Sequence, residues 1–327
     1  MYKQFYNLQR NPFEITPDPA FLFPTKRHNE ALAALYYGVK RHKGFVVLTG
    51  EVGTGKTLLV RCLLQLLNRG SVAYAYVFNS VLSSTEFLQY IAGDFGLSTS
   101  GKTKSELLLM MGNYLIERQQ KRQTTVLVVD EAHHLSPEVL EEVRLLTNLE
   151  TAQEKLLQIL LVGQPELDQK LDSFELRQLK QRISLRSQLE PLDLEETQGY
   201  IQRRLELAGR SAQLPALFPQ ETVLLIHRYS RGIPRLINTI CENALITSYA
   251  RHATMVPGEV IEGVAADFRL NVLHAPPAPA APTKESDLWH AAEILLKLHG
   301  QLQNIRTQGT EVPVEVEAGV KKHEPIV

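Results

Sequence analysis

Short apolar runs alternate with longer amphipathic segments between residues 43 and 189. This alternation is typical of a parallel β-sheet with helices on both faces, because each strand of such a sheet is buried on both sides. We therefore predict an α/β fold whose strands and helices follow one another along the chain. The predicted strands are 44–49, 72–78, 125–130, 156–162 and 183–189.

Helical periodicity fills the segments between these strands and continues beyond them. Helices are predicted at 56–68, 104–120 and 137–150, the last with Ser136 as its N-cap and Pro137 at its first position. Strand patterns stop after residue 191, and helical segments follow at 193–208, 220–229, 233–251 and 257–268. The prediction is a three-layer α/β core over residues 1–190, followed by an all-helical domain over residues 191–270.

The composition changes after residue 270. Residues 271–287 are rich in Pro and Ala, which predicts a semi-rigid linker, and residues 307–327 are predicted to be disordered. Between them, apolar residues at spacings of three and four predict a short coiled-coil helix over 288–306, with docking onto the chain's own core as the alternative. The residues of this heptad stripe are Leu288, Ala291, Leu295, Leu298, Leu302 and Ile305.

Charge and composition restrict the classes of function. The chain has 35 Lys and Arg against 36 Asp and Glu, so a globally basic nucleic-acid binder is excluded, although a local basic stripe stays open. The sequence predicts no transmembrane segment and no secretory signal peptide, which favours a cytoplasmic protein. Cys62 and Cys241 each lie in an apolar stretch and are interpreted as core residues, not as a disulfide or a zinc site.

The strongest chemical signal is the segment GEVGTGKT at 50–57, a complete P-loop (Walker A) pattern between an apolar strand and an apolar helix. Its glycines let successive backbone N–H groups face one point, where the helix adds its positive N-terminal end. We predict that Lys56 reaches the β- and γ-phosphates of ATP and that the Thr57 hydroxyl coordinates Mg²⁺. The predicted nucleotide-binding residues are Gly50, Glu51, Val52, Gly53, Thr54, Gly55, Lys56, Thr57 and Leu58.

A second signal is a pair of carboxylates directly after the apolar run 126–129. Asp130 and Glu131 are placed at the carboxyl edge of the sheet, where ligands of such sheets bind. Asp130 is predicted to complete the Mg²⁺ site, and Glu131 to polarise a water for attack on the γ-phosphate, which implies hydrolysis. The alternative is a pair of solvated acids. His133 and His134 give a helicase-like DEAH pattern, but the companion helicase motifs are missing.

Two amides follow other predicted strands. Asn79 follows the strand 72–78. In the sequence this strand lies between the P-loop and the two carboxylates, which predicts the inserted-strand order of additional-glutamate ATPases. An amide there could hold Glu131 in an unproductive pose until a partner binds, and a plain turn residue is the alternative. Gln164 follows the strand 156–162, so its amide is predicted to orient the water or the γ-phosphate.

These motifs together resemble the AAA+ ATPases and, more narrowly, the general secretion pathway protein A (ExeA/GspA) type. The resemblance covers about residues 1–270. The segments that carry it are YNLQRNPF at 6–13, TPDPAFLF at 16–23, GEVGTGKT at 50–57, LLTNLE at 145–150, LVGQPEL at 161–167 and RGIPRLIN at 231–238.

The resemblance implies further roles around the γ-phosphate, the first being that of sensor 1 for Gln164. Arg182 is implied to be an arginine finger donated to a neighbouring subunit, with Arg177 as second choice. Such a cation balances charge in a loose phosphoryl-transfer transition state and makes hydrolysis depend on assembly. Arg235 is implied to be sensor 2 of a helical lid domain. For both Arg182 and Arg235 an ordinary surface charge is the alternative.

The family also implies a function. The implied protein is a cytoplasmic AAA+ ATPase that forms a homo-oligomeric ring or arc. It would use ATP hydrolysis to drive assembly or remodelling of a bacterial envelope secretion or polysaccharide-export machine. It would then be peripheral at the inner membrane through a partner. Pro12 and Phe13 are implied to lie near the adenine, with a mere cap on the sheet as the alternative. Members often carry a membrane span and a peptidoglycan-binding domain, which this sequence does not predict.

Two rival functions remain. Transposition ATPases of the TniB and MuB kind share this module and act on DNA, and such binding needs many phosphate contacts from Lys and Arg. The near-neutral charge weighs against this reading without excluding DNA. A nucleotide-dependent scaffold that does not hydrolyse ATP is the other rival, and the presence of Glu131 counts against it.

Overall fold

A computed structural model of the chain describes residues 2–67, 72–78 and 82–270, and its five strands form one parallel sheet. All lie at the predicted places, and the α/β fold class is confirmed. The strands are β1 (Phe45–Gly50), β2 (Val72–Val77), β3 (Thr124–Val129), β4 (Leu157–Gly163) and β5 (Leu185–Leu189).

The strand order across the sheet is β2-β3-β4-β1-β5. The strand that ends at the P-loop and the strand that ends at Asp130 are therefore separated, as the inserted-strand prediction requires. The inserted strand is β4, however, whereas β2, which intervenes only in sequence, lies at the edge of the sheet next to β3. Sequence order alone does not determine which strand fills the gap.

Helices accompany the sheet and then continue without strands. Those in the sheet region are α1 (Tyr2–Phe5), α2 (Lys26–Lys40), α3 (Lys56–Leu67), α4 (Ser84–Asp94), α5 (Lys104–Gln120), α6 (Pro137–Leu146), α7 (Pro165–Leu171) and α8 (Arg177–Lys180). Those after the sheet are α9 (Leu194–Leu207), α10 (Gln220–Ser230), α11 (Pro234–Ala250) and α12 (Gly258–Asp267).

The sheet is buried on both faces, which gives the three predicted layers. Alternate residues of β3 show this: Leu127 and Val129 join the apolar cluster under α4, α5 and α6, whereas Val126 and Val128 join the cluster under α2 and α3. Because both faces are apolar, the strands show continuous hydrophobic runs in the sequence.

Helix α6 is shorter than the predicted 137–150. It ends at Leu146, where the hydroxyl of Thr147 donates to the carbonyl of Arg144 at 2.6 Å. Glu150 instead forms an isolated antiparallel bridge with Lys155 before β4 begins. The prediction was wrong here because apolar periodicity continues past the point at which the backbone turns towards the sheet.

The N-terminal residues pack with the last helices. Tyr2, Tyr6 and Phe13 are buried in the same cluster as apolar residues of α9 to α12, and the Tyr6 hydroxyl donates to the carbonyl of Ala253 at 3.0 Å. The division at residue 190 stays a prediction.

Some of the remaining sequence predictions concern residues that the structure describes, and others concern residues outside that range. Asn79, the predicted linker, the coiled-coil helix and the tail all lie outside the described residues. Within the described ranges no helix has the length and apolarity that a membrane crossing needs. Cys62 and Cys241 are buried free thiols, as predicted.

Candidate active site

The P-loop connects β1 to α3 in a backbone conformation that needs glycine. Gly53 and Gly55 have φ values of 83° and 103°, in the left-handed region that residues with a Cβ rarely adopt. A Cβ on Gly53 would lie only 2.7 Å from the Cβ of Arg235, on the first turn of α11. The carbonyl of Gly53 accepts a hydrogen bond from the Arg235 backbone N–H at 3.2 Å. The loop is therefore in direct contact with the helical part of the chain.

Lys56 lies inside this loop. Its Nζ donates to the carbonyls of Gly50 at 2.7 Å and Glu51 at 2.9 Å, and the residue is 6% exposed. Burial lowers the pKa of Lys56, and the nearby charges of Glu131 and Asp130 oppose that shift. The ammonium group is thus held where the sequence places the phosphates.

Asp130 receives three hydrogen bonds. Its Oδ2 accepts from the hydroxyls of Thr57 at 3.0 Å and Tyr76 at 2.7 Å, and its Oδ1 accepts from the backbone N–H of Glu131 at 2.9 Å. The predicted metal pair, Thr57 and Asp130, is therefore brought together. No sequence motif predicts this role for Tyr76, although its position near the end of a predicted strand is a signal. Burial and the adjacent charge of Asp130 raise the pKa of Tyr76 well above its usual value.

These oxygen donors fit Mg²⁺. Among the described residues no group of three or more His, Cys, Asp or Glu side chains forms a metal-binding cluster. Mg²⁺ usually binds through one or two carboxylates together with substrate phosphates rather than in an all-protein cage. Thr57 and Asp130, adjacent to the P-loop, match that donor set.

Glu131 lies beside Gln164 and His133. Its Oε2 is 3.5 Å from the Gln164 side-chain nitrogen and 3.4 Å from Nδ1 of His133. The Gln164 backbone N–H donates to that Nδ1 at 3.4 Å, a hydrogen bond that a neutral imidazole can accept. Burial, and then the neighbouring His134, lower the pKa of His133 and favour this neutral form. In the sequence, His133 is visible only as part of a helicase-like pattern.

Helix α7 fixes these groups relative to one another. It begins directly after Gln164, and the Nζ of Lys170 donates to the carbonyls of His133 at 2.6 Å and Leu135 at 2.8 Å. The segment after Glu131 is thus tied to the helix that carries Gln164. The predicted base and the predicted sensor are held by one local network.

A cavity of about 410 Å³ joins the P-loop to the helical part of the chain. Its lining includes Lys56 and Glu131 together with Thr16, Tyr200 and Arg235. Pockets that bind small molecules commonly have volumes of about 300–1,000 Å³. The cavity is therefore large enough for a nucleotide whose phosphates lie in the loop.

The N-terminal segment borders this cavity because Arg204 of α9 holds it there. The guanidinium Nη1 donates to the carbonyl of Pro12 at 2.7 Å, and the group lies over the rings of Phe21 and Tyr200 at 4.8 and 5.1 Å. Phe13 is fully buried in the helical cluster and does not line the cavity. Contact of this segment with an adenine stays a prediction, and Arg204 is a further residue that the sequence did not reveal.

The two candidate finger arginines lie elsewhere. Arg182 donates through Nη1 to the Thr147 hydroxyl at 3.1 Å, and the Arg177 guanidinium lies 4.2 Å from the ring centroid of Phe174. Neither arginine is among the described residues that line the cavity. The structure thus brings Arg235, but not Arg182, to the site of its own chain.

The sequence matches the family described as AAA domain over residues 39–171. It is also 46% identical over 252 residues to general secretion pathway protein A of Aeromonas hydrophila. That match covers 77% of this chain but 45% of the relative, so the chain spans less than half the length of this curated protein.

Solved structures resemble the fold at low sequence identity. The ORC2 protein of Aeropyrum pernix, with ADPNP and ADP, matches with a TM-score of 0.60 at 18% identity, over 79% of this chain and 72% of that one. Drosophila ORC bound to DNA matches with a TM-score of 0.62 at 19% identity, over 82% and 66%. At this identity the structures show the P-loop AAA fold alone. The two sequence matches, and not the structures, show similarity to the AAA ATPases and to general secretion pathway protein A, the type that the sequence motifs indicate.

Proposed function

We propose that this chain binds ATP with Mg²⁺ and hydrolyses it to ADP and phosphate. The observation that carries the proposal is that Lys56, Thr57 and Glu131 line one cavity, and that Thr57 and the backbone N–H of Glu131 donate to the Asp130 carboxylate. A phosphate-binding loop, a carboxylate suited to a metal and a second carboxylate beside an amide are the parts that phosphoryl transfer to water requires.

Binding uses the loop and its lysine. The backbone N–H groups of residues 50–57 converge on the β- and γ-phosphates, and Lys56 exchanges its two carbonyl partners for phosphate oxygens. Charge-assisted hydrogen bonds of this kind are about twice as strong as neutral ones. Held by Thr57 and Asp130, Mg²⁺ would neutralise part of the phosphate charge.

The hydrolytic step uses Glu131 and Gln164. Glu131 orients a water and accepts its proton as the water oxygen bonds to the γ-phosphorus, and the bond from that phosphorus to the β,γ-bridging oxygen breaks to release ADP. The carboxylate is suited to this role because its side chain is 46% exposed, unlike that of the buried Asp130. The Gln164 amide holds Glu131 on one side and donates towards the γ-phosphate.

Two arginines complete the site, one from the same chain and one from a neighbouring copy. Arg235, at the N-terminal end of α11, faces the cavity and couples the nucleotide to the helical lid. Arg182 acts on the nucleotide of a neighbouring copy in a ring or arc; in its own chain it contacts Thr147 and is not among the described residues that line the cavity, which supports this role. Hydrolysis then depends on assembly, because one site draws on two subunits.

The work driven by hydrolysis is the assembly or remodelling of a bacterial envelope secretion or polysaccharide-export machine. The name of the Aeromonas hydrophila relative supports this assignment, and the match covers 252 residues at 46% identity. The net charge of −1 favours a protein client over DNA. We place the protein in the cytoplasm, bound at the inner membrane through that client.

Phosphate release as a function of protein concentration tests the proposal. Turnover per chain should rise steeply with concentration, should disappear in Glu131→Gln, and should not change when duplex DNA is added. Turnover that is absent at every concentration would contradict ATP hydrolysis. Strong stimulation by DNA would contradict the secretion assignment in favour of a DNA-associated ATPase.

A further inference from the structure

The hydroxyl of Tyr76 contacts the same carboxylate oxygen that Thr57 contacts. Tyr76 donates to Oδ2 of Asp130 at 2.7 Å, and Thr57 donates to it at 3.0 Å. We propose that Tyr76 is a positioning residue of the magnesium site, which holds the Asp130 carboxylate in the orientation that the metal requires. This inference rests on the proposed function and adds a third protein element, supplied by the edge strand, to that site.

The sheet fixes the position of the tyrosine. Tyr76 pairs with Val128 in the parallel β2–β3 ladder, and the backbone N–H of Asp130 donates to the carbonyl of Val77 at 2.8 Å. The partly buried ring packs against the apolar cluster under α2 and α3. Strand pairing and ring packing together leave the hydroxyl directed at Asp130, so the contact is a consequence of the strand register.

Tyr76 differs from the other two donors because its hydroxyl bonds Oδ2 and is not needed to coordinate the metal. The Thr57 hydroxyl oxygen must also serve the metal, and the Glu131 N–H holds only Oδ1. Tyr76 is therefore the donor that fixes Oδ2 regardless of what Thr57 binds. Without it, the carboxylate would lose one of the three hydrogen bonds that define its rotamer. The loss should weaken Mg²⁺ binding, because the metal must then order a carboxylate that the protein no longer holds in place.

Tyr76→Phe tests this inference because it removes one oxygen and keeps the ring. Binding of a fluorescent ADP analogue would be measured against Mg²⁺ concentration and in EDTA. The Mg²⁺ concentration for half-saturation should rise about tenfold, in line with the loss of a hydrogen bond to a charged group. Affinity in EDTA should stay within about twofold, because the phosphate loop is unchanged.

Tyr74→Phe is the matched control. Tyr74 lies on the same strand two positions earlier and is 39% exposed, so its variant should titrate with Mg²⁺ like the unmodified chain. In a background of Asp130→Asn, Tyr76→Phe should add no further effect on the Mg²⁺ titration, because the contact would already be altered. Thermal melting of each variant verifies that the fold is retained.

Three results would distinguish failure of the inference about Tyr76 from failure of the proposed function. An unchanged Mg²⁺ titration in Tyr76→Phe would overturn the inference and leave the proposed function standing. Equal loss of ADP affinity with and without Mg²⁺ would show that Tyr76 only packs against the loop, which also overturns the inference. No ADP binding by the unmodified chain in either condition would overturn the proposed function itself.

Discussion

Replacing Gly53 with alanine tests the contact between the P-loop and the start of α11. The new Cβ would lie 2.7 Å from the Cβ of Arg235 and 3.0 Å from Cγ2 of Ile233. Both atoms are close to the backbone of the segment that begins α11, so neither can move away as a flexible side-chain end could. The loop must leave its present conformation, or α11 must move.

The structure gives the magnitude of the effect. A residue with a Cβ at a φ of 83° costs about 1–2 kcal/mol, and separation from Arg235 loses a backbone hydrogen bond worth about 0.5–1.5 kcal/mol. The free loop can relax, whereas the bound loop must return to its present shape. We therefore expect the free energy of ADP binding to become about 2–3 kcal/mol less favourable, which weakens ADP affinity about 30- to 150-fold.

Gly96→Ala is the matched control. Its φ is 79°, nearly that of Gly53, and a Cβ there meets nothing within 4 Å among the described residues. Calorimetric titration with ADP and urea unfolding would be measured on both variants. Gly96→Ala should lose about 1 kcal/mol of stability and bind ADP normally. The reasoning would be refuted if Gly53→Ala bound ADP like the unmodified chain, or if both variants lost affinity equally.

Four further results are expected. Glu131→Gln should retain nucleotide binding and reduce single-turnover phosphate release about 10²- to 10⁴-fold; reduced binding instead would assign it to the phosphate site. Arg182→Ala and Glu131→Gln should each lack turnover alone but recover part of it when mixed, because one variant supplies the base and the other the arginine; no recovery would argue against a shared site. Burial lowers the pKa of His28, so urea-unfolding stability should be constant above about pH 6.5 and fall below it, where the unfolded chain binds the proton more readily; a His28→Gln variant with the same slope would contradict this. Gly232→Ala should destabilise the chain by about 2–4 kcal/mol, because φ is 72° and the Cβ would lie 1.9 Å from the Leu192 carbonyl oxygen; an unchanged urea midpoint would refute the clash.

The part of the site that is local in sequence could be predicted. The P-loop needs glycines at fixed spacings, and Asp130 and Glu131 lie directly after an apolar strand, so both motifs are visible without a structure. Gln164 follows another strand of the same sheet, and parallel strands end at one edge. For these residues, motif and topology together determine the position.

The remaining site residues depend on contacts between distant segments. Tyr76 reaches Asp130 because of the β2–β3 register, and Arg204 reaches Pro12 across 192 positions of the sequence. His133 acquires its place from the hydrogen bond with Gln164, which no pattern near residue 133 encodes. The identity of the inserted strand also follows from sheet order and not from sequence order.

The central claim is that residues 50–57 bind the phosphates of ATP and that Glu131 prepares their cleavage. Calorimetric titration of Glu131→Gln with Mg·ATP, beside the same protein carrying Lys56→Ala, tests this claim most directly. The account predicts one ATP bound per chain in the first protein, without phosphate release, and an affinity lower by about tenfold or more in the second. Absence of binding in the first, or equal affinity in both, would contradict it.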